Sequence, residues 1–267
     1  MNKLSFLAKR GNLISVTAAG EGMPLILLHG FPLDQRLWLQ QLDYLSKNYC
    51  VIAPDLRGFG QSTLTEEPYS MADLAEDVEQ VRQHLTDDQP VALCGLSMGG
   101  YVAFEYWRRY SKRLTALILV NTKPEADTDQ GRADRRAMSE RAHQLGSWQA
   151  VSGMLPKLLS EEHFAQRGAP FHAAEQMLRA CSADAVSSAQ RAMAERADFI
   201  ALLPALRTPT MVITGEEDTI APPTATRKWA AVLPDSQCHV LAGAAHLTPL
   251  EQPQQFNRLV HEFLAPM

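Results

Sequence analysis

Long apolar stretches are missing from this chain. No run approaches the roughly 20 residues that a membrane helix needs, and the apolar part of Met1–Arg10 is interrupted too soon for the core of a signal peptide. Runs of one charge are also missing. The formal net charge is -5, both signs are spread along the chain, and no Lys/Arg cluster would suit a phosphate backbone. Nucleic acid and membrane are therefore not expected as partners. Cysteine is scarce: Cys50, Cys94, Cys181 and Cys238 are widely spaced and form no C-x-x-C pair. Three of them lie in or beside apolar runs, which reads as reduced thiols acting as small core residues in a cytoplasmic protein. There is no internal repeat, low-complexity tract or flexible linker, and no tyrosine follows Tyr110.

What is present is a soluble composition, 46% hydrophobic and 21% charged, in 267 residues. That length can bury a large core, and α/β folds often reach it as one unit. Short apolar runs recur at 25–28, 49–53, 91–94, 117–120, 211–213 and 238–241. They do not alternate with polar residues, as suits strands covered on both faces of a parallel sheet. Between them lie amphipathic segments such as 70–85, where Leu74, Ala75, Val78, Val81 and Leu85 share one helix face and Ser70 is a candidate N-cap. This alternation predicts an α/β sheet with helices on both faces. Residues 3–20 read as an opening hairpin around Lys9-Arg10-Gly11-Asn12. From 124 to 204 the strand rhythm stops. Good helix formers dominate there, and Gly146, Gly153, Pro156, Gly168 and Pro170 divide the stretch into about four short helices. The expected organisation is a core of 1–123 and 205–267 with a helical insertion at 124–204.

The strongest chemical signal is Cys94-Gly95-Leu96-Ser97-Met98-Gly99-Gly100, a G-x-S-x-G between a strand-like run and a helix-like stretch from Tyr101. Small residues around the serine allow a strained turn that exposes its hydroxyl. His29-Gly30-Phe31-Pro32 follows another strand-like run, and its loop can aim an N–H at a developing oxyanion. Phe31 is the loop donor, because Pro32 has no N–H, and Met98 supplies the second. His29 is read as holding this loop by hydrogen bonds. The orienting acid is sought after the strand 211–213, where Glu216, Glu217 and Asp218 compete; distance from the strand favours Asp218. His246 follows the last apolar run, with only small residues, Ala242 to Ala245, before it. His84, His143, His163, His172, His239 and His261 fall in helical or strand segments and read as surface or satisfied histidines.

These motifs, with Asp55-Leu56-Arg57-Gly58-Phe59-Gly60-Gln61-Ser62, resemble the α/β-hydrolase superfamily over nearly the whole chain. The last of them is similar to that superfamily's D-x-R-G-x-G-x-S turn after strand four. The resemblance implies an α/β-hydrolase fold: an eight-stranded, mostly parallel sheet with the second strand reversed, flanked by helices, and a helical lid after strand six. It also implies a triad of Ser97, Asp218 and His246 and an oxyanion hole of Phe31 and Met98. More narrowly, residues 121–128 and 154–159 resemble bacterial carboxylesterases and 3-oxoadipate enol-lactonase-like hydrolases.

The expected activity is cleavage of a small carboxylic ester or lactone through an acyl-enzyme, with no metal or organic cofactor. Perhydrolase or haloperoxidase chemistry and C–C bond hydrolysis would use the same triad, and acyl transfer to an alcohol would need a lid that excludes water. Dehalogenases and epoxide hydrolases carry a carboxylate in place of Ser97, and the latter draw tyrosines from the lid. A small-molecule receptor on this fold is the non-enzymatic alternative. Trp148, Met154, Leu155 and Leu247 are the candidate pocket wall, and Met138, Met177, Met193 and Phe171 are further apolar residues of the lid. The lid's charges are mixed, leaving Arg132, Arg135 or Arg136 to meet any substrate carboxylate. Whether the protein is a monomer or a homo-oligomer is left open.

Overall fold

A computed structural model describes all 267 residues. Eight strands, β1 Asn2–Leu7, β2 Leu13–Ala19, β3 Pro24–Leu28, β4 Cys50–Pro54, β5 Val91–Leu96, β6 Leu114–Val120, β7 Thr210–Gly215 and β8 Ser236–Leu241, form one sheet in the order β1-β2-β4-β3-β5-β6-β7-β8. Only β2 is reversed: it pairs antiparallel with β1 and β4, while every other pairing is parallel. The fold is therefore the expected α/β-hydrolase sheet. The runs read as two-face-covered strands are fully buried in β3, β5 and β7. Strand β8 lies at the sheet's edge, where only Leu241 is fully buried, and this leaves Cys238 in solvent, where a core thiol had been expected.

Twelve helices flank the sheet. In the core these are α1 Leu39–Leu45, α2 Met71–Leu85 and α3 Met98–Tyr110; between β6 and β7 come α4 Asp129–Leu145, α5 Ser147–Val151, α6 Leu155–Leu158, α7 Glu161–Gln166, α8 Ala169–Ala180 and α9 Ala183–Ala194; α10 Pro223–Ala230, α11 Thr248–Glu251 and α12 Pro253–Leu264 complete the chain. Helix α1 packs against α12 and α2 against α3. Ser70 caps α2 as expected: its side chain accepts from the Asp73 N–H while the Asp73 carboxylate accepts from the Ser70 N–H. No helix is long and apolar enough to cross a membrane.

The segment between β6 and β7 has no strand, but it holds six helices where about four were expected, and α4 alone runs 17 residues. The punctuating residues begin helices more often than they end them. Pro156 and Pro170 stand in the first turns of α6 and α8, where proline's missing N–H would have had no intrahelical acceptor.

Two neighbouring strands at the sheet's centre, β3 and β5, send their chains in opposite directions, to β4 and to β6. Loops leaving such strands at their carboxyl ends splay apart and open a crevice, the usual place for a ligand in an open α/β sheet. Both glycine-containing signals, His29-Gly30-Phe31 and Gly95-Leu96-Ser97, leave the sheet at this point.

Candidate active site

Ser97 joins β5 to α3 with φ 55° and ψ -112°, a region that residues with a side chain rarely adopt. The turn persists because its surroundings leave it no alternative. A Cβ on Gly99 would sit 2.4 Å from the Leu28 carbonyl oxygen, so the first turn of α3 lies directly against the end of β3. The Thr122 hydroxyl donates to the Ser97 carbonyl at 2.8 Å, and the Ser97 N–H bonds the Val120 carbonyl at 2.9 Å. The helix begins at Met98, three residues before the Tyr101 start expected from the sequence.

His246 and Asp218 are buried in contact, with His246 Nδ1 2.9 Å from Asp218 Oδ2. The carboxylate is held from several sides. Oδ2 also accepts from Asn121 Nδ2 at 2.8 Å, and Oδ1 accepts from the Ile220 and Ala221 N–H groups at 2.8 and 3.0 Å. Burial alone would raise the carboxyl's pKa. The His246 ring and these hydrogen bonds outweigh burial and hold it below the ordinary carboxylate range. Of the three competing acids, Glu216 and Glu217 are exposed, and Glu217 accepts instead from the Glu161 N–H of the helical segment. The small residues before His246 have a steric cause: a Cβ on Gly215 would lie 2.0 Å from the Ala245 carbonyl oxygen, so β7 and the His246 loop touch backbone to backbone.

Ser97 and His246 line one cavity of about 290 Å³, together with Phe31. His246 makes no hydrogen bond to Ser97 in this structure; in an empty site that contact is often long and tightens only with substrate. The Phe31 N–H takes part in no hydrogen bond. Met98 opens α3, where the first N–H groups lack intrahelical acceptors. Buried His29 ties this loop to the next: Nδ1 lies 2.9 Å from the Gly30 carbonyl oxygen and Nε2 accepts from the Leu56 N–H at 2.9 Å. That network assigns the neutral tautomer with the proton on Nδ1, and burial holds the ring's pKa below its ordinary value. In the next loop, Asp55 accepts from the Gln35 and Gln61 N–H groups at 2.8 and 2.9 Å, and buried Arg57 pairs with Asp77 through bonds of 2.9 and 2.8 Å. The Asp55–Ser62 turn therefore has structural work to do.

Of the four wall residues expected from sequence, only Met154 lines the cavity. Trp148 instead lies 3.7 Å from the Arg179 guanidinium, Leu155 is packed into the core, and the Leu247 N–H bonds the Leu158 carbonyl at 3.1 Å with its side chain fully buried. The wall comes rather from Tyr101 on α3, Arg135 and Met138 on α4, and Gln190 and Met193 on α9, with Lys123 after β6. Arg135 is the one of the three arginines weighed for a substrate carboxylate that reaches this cavity. Asn121 and Lys123 were not singled out from the sequence as site residues. Only their position straight after an apolar run marks them.

The His246 loop is fastened to the helical segment. The Leu158 carbonyl at the end of α6 accepts from both His246 and Leu247 N–H groups, at 3.2 and 3.1 Å. The buried Glu251 carboxylate accepts from the Ala245 N–H at 2.9 Å and the Ser160 N–H at 2.6 Å.

Comparison with known proteins agrees with this architecture. The chain is 29% identical over 250 residues to the putative carbamate hydrolase RutD of Escherichia coli O44:H18, covering 91% of this chain and 90% of that one. Among solved structures, a thermophilic esterase from Thermogutta terrifontis with malate bound superposes with a TM-score of 0.95 at 36% identity, over 100% of this chain and 99% of that one. The enol-lactonase from Burkholderia xenovorans LB400 shares the fold at a TM-score of 0.90 and 22% identity, covering 98% of this chain and 100% of that one. With the alpha/beta hydrolase fold family's model matching residues 23–253, the chain belongs to the α/β-hydrolase family and is a hydrolase.

Proposed function

We propose that this protein cleaves a small carboxylic ester or lactone through an acyl-enzyme on Ser97, with His246 as base and Asp218 as its orienting acid. The observation that carries this reading is a serine held at positive φ on a strand–helix elbow, in the same cavity as a histidine bonded to a buried carboxylate. Asp218 accepts the Nδ1 proton of His246, which leaves Nε2 free to act as base. His246 takes the Ser97 proton as Oγ attacks the carbonyl carbon. The Phe31 and Met98 N–H groups receive the oxyanion, and each such donor is typically worth about 3 kcal/mol. Collapse of the tetrahedral intermediate breaks the bond to the alcohol oxygen, which leaves with the proton from His246. Water then attacks the acyl-enzyme and gives its proton to His246. That proton returns to Ser97 as the acid is released. The helices between β6 and β7 act as the lid over this cavity.

The 36% identical esterase supports ester chemistry. The relative named as a putative carbamate hydrolase supports a second reading, in which the same serine takes up a carbamoyl group. The test is hydrolysis of p-nitrophenyl esters from acetate to octanoate by the wild type and Ser97→Ala. Turnover of short esters, lost roughly 10³-fold or more in the variant, supports the proposal. An inert wild type, or an equally active variant, rejects it.

A further inference from the structure

Lys123 stands two residues beyond Asn121, at the carboxyl end of β6, and lines the cavity that holds Ser97 and His246. Its neighbour Thr122 is the residue that bonds the Ser97 carbonyl, so the lysine is rooted beside the nucleophile. It is half-buried, yet its ammonium makes no hydrogen bond and no ion pair with any protein group. A buried cation normally has a partner.

The nearby carboxylate is already taken. Asp127 is bonded through one oxygen by Arg135 and through the other by Arg196 at 2.7 Å. Arg196 also donates to the Glu125 and Met193 carbonyls. Two further carboxylates stand near. Asp134 is exposed on the cavity rim and bonded by Gln130, and the half-buried Glu125 side chain makes no ion pair. Desolvation, then repulsion from Arg196, pulls the lysine's pKa below its ordinary value; Asp127 and Glu125 oppose this and Arg135 adds to it, so the protein's own acids do not compensate the charge.

We propose that Lys123 anchors a carboxylate carried by the substrate itself. The favoured substrate is then an ester ending in a carboxylate, such as the half-ester of a short dicarboxylic acid. This rests on the ester reading of Ser97 and narrows it. A lone ammonium at a cavity wall is otherwise a costly choice, since a methionine of similar length would line it without desolvating a charge. Met138, Met154 and Met193 do that elsewhere in the same wall. A bound carboxylate turns the cost into a charge-assisted hydrogen bond.

The test compares monoethyl succinate with ethyl succinamate, which matches it in shape but lacks the charge, using the full-length protein. We expect the wild type to favour the half-ester in kcat/KM by roughly tenfold or more. That ratio should collapse toward one in Lys123→Met and be largely retained in Lys123→Arg. A second measurement is independent of turnover. Calorimetric binding of monoethyl succinate to the Ser97→Ala protein should weaken roughly tenfold when Lys123→Met is added. A wild type that does not prefer the half-ester overturns the anchor while leaving the ester reading intact, as does a ratio unmoved by Lys123→Met. If neither ester is cleaved, the p-nitrophenyl series decides the ester reading, and binding decides the anchor alone: Lys123-dependent binding upholds it, and Lys123-independent or absent binding overturns it.

Discussion

Asn121 and His246 meet on one oxygen: Asp218 Oδ2 lies 2.8 Å from Asn121 Nδ2 and 2.9 Å from His246 Nδ1. Asn121 is itself fixed. Its backbone sits at φ 46°, its Oδ1 accepts from the Thr248 hydroxyl at 2.7 Å, and its Nδ2 also reaches the Ala245 carbonyl at 3.0 Å. The amide thus locks together Asp218, the loop before His246 and the helix after it. A hydrogen bond to a charged group is worth about 1.5–3 kcal/mol, so Asn121→Ala should lower kcat by roughly tenfold or more, with KM little changed. Asn121→Asp should cost more, because it removes the donor and sets two carboxylates side by side. Steady-state kinetics on a short p-nitrophenyl ester, with melting temperature as a check on folding, would decide. An unimpaired Asn121→Ala would mean that the backbone donors suffice.

Ser97 holds its hydroxyl in place at the expense of backbone strain. Both Ser97→Gly and Ser97→Ala should be catalytically dead, but their stabilities should differ. At φ 55° alanine keeps the steric conflict and glycine removes it. The glycine variant should therefore be about 1 kcal/mol or more stabler than the alanine variant, read as a higher midpoint in urea. Equal midpoints would show that the elbow is not strained.

Gly99 should tolerate no side chain. A Cβ there would stand 2.4 Å from the Leu28 carbonyl oxygen and 2.8 Å from that of His29, and these backbone atoms cannot step aside. Gly99→Ala is expected to cost more than about 3 kcal/mol, in the range that single substitutions reach only through such mechanisms. Soluble yield and thermal unfolding would report it. A near-normal melting temperature would contradict the close approach of α3 to β3.

The pH dependence of stability should carry a contribution from His29. Burial depresses its pKa in the folded chain below the ordinary 6.5, so the unfolded chain binds the proton more readily. Stability is then full above about pH 6.5 and falls on acidification toward the folded pKa, by at most about 1.4 kcal/mol per pH unit. Burial raises the pKa of neighbouring Asp55, which contributes with the opposite sign at lower pH. The measurement is therefore the difference between wild type and His29→Asn across pH 5–8. A difference that does not change with pH would reject this assignment.

The sequence showed the parts of the site that depend on neighbours along the chain. The Ser97 elbow is legible because strand, glycines and helix start all fall within a few residues, and His246 because only small residues fit beneath its loop. Asp218 was preferred over Glu216 and Glu217 on its distance from the strand and on likeness to a family, since a loop of three acids has no period that points to one of them. Asn121 was silent for a different reason. Its partner lies 97 residues on, and only the pairing of β6 with β7 brings the two strand ends together. The cavity wall was the least legible part. Apolar residues of the helical segment look alike in sequence, and Trp148, Leu155 and Leu247 proved to be packing residues while Lys123 and Arg135 face the cavity. The charge of the wall depends on which helix face turns inward, and α4 and α9 settle that by packing on one another.

The double hydrogen bond to the Leu158 carbonyl divides the roof over the cavity into two banks. On the α6 bank, any shift of the helix is handed directly to the peptide unit of His246, so under the proposed mechanism adaptation there risks the base. On the opposite bank, Arg135 and Met138 of α4 and Gln190 and Met193 of α9 face the cavity with no bond to the His246 loop. Evolution, or an engineer, can therefore rewrite substrate choice along α4 and α9 while the α6 bank keeps the imidazole in place.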